Sequence, residues 1–115
     1  MLYYTLTVKD TDYKLRLSAK ACIDLEKKLG ENPVNTIIDI ANNLVNNQTI
    51  PNLDPILTIL HASMTQYNHS VSMNDMYGIY DNYIDEGHNM YELISVIMEV
   101  FKVSGLMPED TEGKN

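Results

Sequence analysis

The sequence has no tryptophan, one phenylalanine and one cysteine, Cys22. A single thiol cannot close an intramolecular disulfide, so burial alone must hold the fold, and Cys22 is expected to be a small reduced core residue. Basic residues are scarce: eight Lys and Arg stand against sixteen Asp and Glu, for a net charge of −8. Phosphate backbones are held by clustered Lys and Arg, so nucleic acid is not an expected partner. No apolar run approaches the roughly 18 residues of a membrane helix, and no basic start leads into an apolar run of secretory length. A soluble protein outside the membrane, in a cytosolic environment, is expected. The five glycines (30, 78, 87, 105 and 113) stand singly, so there is no Gly-rich phosphate loop.

What is present is enough for one domain. A chain of 115 residues, 44% hydrophobic and 21% charged, can bury roughly two thirds of its unfolded surface without a staple. The polar end, 107–115, reads as a flexible tail and 1–106 as the domain. Charge is distributed unevenly. Residues 1–30 hold Lys9, Lys14, Arg16, Lys20, Lys27 and Lys28 against four acids, whereas the remainder holds two basic residues and twelve acids. Head-to-tail self-association or a basic protein partner fits this polarity, and so does a solvated acidic surface kept soluble by self-repulsion.

Leu2 to Val8 and Tyr13 to Leu17 alternate with period two, placing Tyr4, Leu6, Val8, Tyr13, Leu15 and Leu17 on one face. The polar stretch Lys9-Asp10-Thr11-Asp12 between them suits a hairpin turn. Ser18 is a good N-cap for a helix over Ala19 to Leu29, and Gly30 a good left-handed terminator. Cys22, Leu25 and Leu29 recur at helical spacing with Ala21 nearby, and Asp24 and Lys28 are set for an i,i+4 pair. Asn32-Pro33 starts a second helix whose stripe is Val34, Ile37, Ile38, Ala41, Leu44 and Val45, followed by an exposed polar loop over 46–52.

Asp54-Pro55 repeats the cap-plus-proline signal for a third helix, apolar almost all round and expected to be central. Ser72 with Asp75 opens a fourth helix, with a stripe of Met73, Met76, Tyr77, Tyr80, Tyr83 and Ile84 that stops at Gly87. Asn89 with Glu92 opens a fifth, which stops at Gly105. Its apolar surface, from Met90 to Val103, exceeds what a covering helix needs. Two readings stay open there: a central core helix, or a helix with one side given to self-association or a partner. The expected fold is therefore α+β and mostly helical, an N-terminal β-hairpin packed against about five α-helices.

No catalytic, cofactor or metal site is legible. His61, His69 and His88 have neither i,i+4 pairing nor zinc-ligand spacing around Cys22. Asp81, Asp85, Glu86 and His88 gather near a helix end but lack the alternate-residue ligands and mid-loop glycine of a calcium loop. Cys22 has no nearby histidine in sequence to activate it. A binding surface remains. Met73, Met76, Tyr77, Tyr80, Tyr83, Met90, Ile97, Met98 and Phe101 are the candidate partner-binding residues, because thioethers repack at low cost and tyrosine keeps a wet tip; the same residues suit an ordinary core. Arg16, Lys20, Lys27 and Lys28 against Asp81, Asp85 and Glu86 are the candidates for self-association.

The order of these signals resembles the tail assembly chaperones of long, non-contractile-tailed phages and prophages of low-GC Gram-positive bacteria. The residues carrying the resemblance are Tyr13-Lys14-Leu15-Arg16-Leu17-Ser18, Leu25-Glu26-Lys27-Lys28-Leu29-Gly30 with Asn32-Pro33, the Ile56 to Met64 helix, Tyr80 to Gly87, and Glu99 to Gly105. Together they span roughly residues 3 to 106. The resemblance implies a non-enzymatic, oligomeric chaperone of the host cytoplasm, absent from the mature virion. It would bind the tape measure protein and help recruit tail tube protein, the latter mainly through a longer form made by ribosomal frameshifting. The rival expectation is a small prophage-encoded regulatory adaptor or inhibitor that binds a folded host protein through its acidic helical surface.

Overall fold

The computed structural model describes residues 2–109. The chain forms the expected α+β fold, with element order β1 (Tyr4–Val8), β2 (Thr11–Leu15), α1 (Ala19–Leu29), α2 (Pro33–Asn47), α3 (Leu53–Met64), α4 (Met73–Asp85) and α5 (Met90–Val103). Leu106 and Met107 pack half-buried against the core, so the domain extends past residue 106; the rest of the expected tail, from residue 110, lies outside the described residues.

β1 and β2 are antiparallel, with Tyr4 opposite Leu15 and Leu6 opposite Tyr13. The turn is tighter than the sequence suggests. Only Lys9 and Asp10 lie outside the ladder, both at positive φ (49° and 65°), the combination a two-residue hairpin of matching twist requires. β2 accordingly begins at Thr11 and ends at Leu15, two residues before the expected end. Leu17 is nevertheless buried on the same side as Leu6, Val8 and Leu15.

Beyond β2 the chain is fastened to the end of α5. Arg16 Nη1 donates to the carbonyls of Leu2 (2.9 Å) and Val103 (3.1 Å), and Leu17 N donates to Ser104 Oγ (2.9 Å). A cation at the carbonyl end of a helix is favoured by the helix dipole as well as by its hydrogen bonds. α1 then starts where Ser18 Oγ accepts from Ala21 N, and ends at Gly30 with φ 77°. It buries Ala21 and Leu25. Cys22 is only half-buried, and Asp24 pairs with Lys20 (3.0 Å) rather than with Lys28.

α3 is the hub: it packs against every other helix and against β2. Ile56, Leu57, Ile59, Leu60, Ser63 and Met64 are all buried, and the Ser63 hydroxyl is satisfied by Leu60 O at 2.7 Å. Its N-cap is Asn52 rather than Asp54, which instead lies in the first turn. α4 begins with a complete capping box: Asp75 N donates to Ser72 Oγ and Ser72 N to Asp75 Oδ2. That amide and the Ser72 hydroxyl hold the Asp75 carboxyl below its ordinary range. At α5, Asn89 caps Glu92 N, but the Glu92 carboxylate turns to His88 Nδ1 (2.9 Å).

Candidate functional site

The residues expected to bind a partner lie mostly inside the molecule. Met76, Ile97 and Phe101 are fully buried and Tyr83 is 4% exposed. Met73, Tyr80, Met90 and Met98 are half-buried and packed against the core, leaving Tyr77 as the exposed member. The reason is rotational. α4 presents Met76, Ile79 and Tyr83 to the hairpin and α3, so Ile79, absent from the expected stripe, is core while Tyr77 and Ile84 face solvent. α5 similarly buries Leu93, Val96, Ile97, Val100 and Phe101. Of the two readings of its apolar excess, the core helix holds. Burial also pushes the Tyr83 hydroxyl up to about 12.

The expected charge contacts are partly engaged within the chain. Arg16 is bonded to two carbonyls, Lys20 to Asp24, and Glu86 accepts from Lys9 N at 3.0 Å, bracing the hairpin turn. Lys27 and Lys28, in the last turn of α1, and Asp81 and Asp85 on α4 remain exposed.

No group of three or more His, Cys, Asp or Glu placed to hold a metal occurs among the described residues. His61 Nε2 donates to Val71 O (2.8 Å), linking α3 to the loop before α4. The Cys22 thiol is pushed up by burial and by the neighbouring Glu26 carboxylate, the opposite of an activated nucleophile.

Two surfaces do stand out, and apart from Tyr83 neither draws on the residues expected to bind a partner. The first is on α2. Only Pro33 and Ile37 of this helix are buried, with Val34 and Ile40 packed partly against the core. Ile38 is 40% exposed and Val45 78%, with Ala41 and Leu44 half-buried between them and Ile50 exposed just beyond the helix. Positions 38, 41 and 45 fall on one helical face, so the outer half of the stripe faces water. Among the described residues the main packing partners of α2 are α1 and α3, and the outer side of its stripe is left exposed.

The second surface is an open groove of about 480 Å³ along β1, lined by Tyr4, Thr5, Leu6 and Thr7 on one side and Glu92, Ser95, Val96 and Glu99 of α5 on the other. Tyr83 and His88 complete it, their rings stacked 4.4 Å apart at 17°.

The fold is thus a hairpin packed against five helices, with exposed apolar side chains on α2 and an open groove along β1. The chain belongs to DUF6096, a family of unknown function, which matches residues 3–114. No curated protein and no solved structure matches it.

Proposed function

We propose that this protein is a non-enzymatic tail assembly chaperone that holds the tape measure protein and helps recruit tail tube subunits. The observation that carries the reading is the uncovered stripe of α2. A tape measure protein is long, helical and apolar; an amphipathic helix of such a client docks onto a partner helix by laying its apolar face along exposed positions at i, i+3 and i+7. Ile38, Ala41 and Val45 provide that spacing, and Leu44 and Ile50 widen it. The order of sequence signals over residues 3 to 106 supports the same assignment, as does the acidic surface, which keeps a carrier of apolar clients soluble.

A second reading, an adaptor that binds a folded host protein, draws on a different face. Tyr77, Asp81 and Asp85 follow one another at i,i+4 on the exposed side of α4. One experiment separates the two. Co-expression with the tape measure protein, followed by centrifugation, is expected to move the client into the soluble fraction with the wild-type chain and with Tyr77→Ala/Asp81→Ala, but not with Ile38→Glu/Val45→Glu. A client equally insoluble with and without the wild-type chain removes the chaperone reading.

A further inference from the structure

The two edges of the hairpin are treated differently. On β2 the outward edge is taken at its far end: Arg16 N, just past the strand, donates to Ser63 O, and Lys14 O accepts from Asn68 Nδ2, both at 2.8 Å. On β1 the outward groups belong to Thr5 and Thr7. Their direction follows from the turn. With a two-residue loop, Val8 and Thr11 form a hydrogen-bonded pair, and so do Leu6 with Tyr13 and Tyr4 with Leu15. Thr5 and Thr7 therefore turn their amides and carbonyls away from β2, and among the described residues no other part of the fold bonds them.

β1 also lacks the features that protect edge strands from pairing. Its sequence, YTLTV, has no charge and no proline, and none of its residues is at positive φ. The groove beside it has a helix as its far wall. A free strand edge facing a helix across an open groove is the geometry in which domains recognise peptides by strand addition, where main-chain bonds give affinity and alternate side chains give specificity.

We propose that this groove binds an extended peptide segment bearing basic side chains, which adds to β1 as a third strand through Thr5 and Thr7. The charge of the wall selects the occupant. Glu92 and Glu99 are 47% and 45% exposed, and no Lys or Arg lines the groove. Each carboxylate has one oxygen engaged, Glu92 Oε2 with His88 and Glu99 Oε2 with Lys102, leaving Oε1 of each for an incoming cation. A second copy pairing antiparallel through β1 would instead bring a second Glu92 and Glu99 onto the same face, between chains of net charge −8. This inference stands independently of the client proposed for α2.

The probe is a fluorescein-labelled peptide of alternating valine and lysine, about ten residues long, enough to span an edge strand and its flanks, read by anisotropy against the full chain. Binding is expected, with at least about tenfold loss when lysine is replaced by glutamate, when alternate peptide amides are N-methylated, and in Glu92→Lys/Glu99→Lys. Thr5→Pro should weaken binding to a similar degree, because it removes an outward donor without breaking the ladder to β2. If Thr5→Pro does not fold, the N-methylated peptide tests the same bonds on the wild-type chain. The proposal is overturned if the basic peptide does not bind, if N-methylation leaves affinity unchanged, if the glutamate peptide binds equally, or if sedimentation shows the groove closed by a dimer that Thr5→Pro dissolves.

Discussion

α2 and α5 carry apolar stripes of similar length, yet the fold uses them in opposite ways. α5 lies against β1 and α3, and Leu93, Ile97, Val100 and Phe101 are at most 1% exposed. α2 flanks α1 and α3 from outside, and Val45 is 78% exposed. Amphipathicity gives each helix a face to bury; topology decides whether the chain itself buries it. A stripe that the domain leaves half uncovered is where a partner helix gains most, because its contact area removes apolar surface from water on both sides.

The contrast predicts a graded set of effects. Phe101→Ala, at the centre of the closed stripe, should cost about 3 to 5 kcal/mol in urea unfolding, whereas Val45→Ala on the open stripe should stay within about 0.5 kcal/mol. A large loss from Val45→Ala would mean that the domain itself depends on that face. Next in size is Arg16→Ala. It removes two charge-assisted bonds, one to Val103 O at the carbonyl end of α5 and one to Leu2 O, and should cost about 1.5 to 3 kcal/mol, with faster amide exchange in the last turn of α5.

Ser72→Ala takes away the α4 cap and should cost roughly 1 kcal/mol. A last effect is confined to alkali and is absent at neutral pH. The Tyr83 hydroxyl titrates near 12 in the fold against 10 when unfolded, so its contribution is fully present below pH 10 and is lost as pH rises towards 12. The wild type should therefore lose stability over that window more steeply than Tyr83→Phe, as measured by urea midpoints at successive pH values.

Local signals were legible where they depended on neighbours in sequence. Ser18 and Gly30 bound α1 as expected, Pro33 stands at the first position of α2, and Gly87 and Gly105 follow α4 and α5 at positive φ. The two-residue turn was not legible, because Lys9 and Asp10 are ordinary residues forced to positive φ and held there with help from Glu86, far away in sequence. The candidate surface was misplaced for the same kind of reason. Met and Tyr on α4 and α5 read as adaptable contact groups, but only the packing of these helices on β1 and α3 shows that Met76, Tyr83, Ile97 and Phe101 are enclosed. The open edge of β1 was equally hidden, since the alternation of YTLTV describes its two faces and says nothing of its two edges.

The most direct test of the account is hydrogen exchange of the chain, alone and with the tape measure protein. Slowed exchange across residues 34–50, with α5 unchanged, is the predicted result. Slowing confined to α4 and α5, with α2 exchanging as in the free protein, would contradict it.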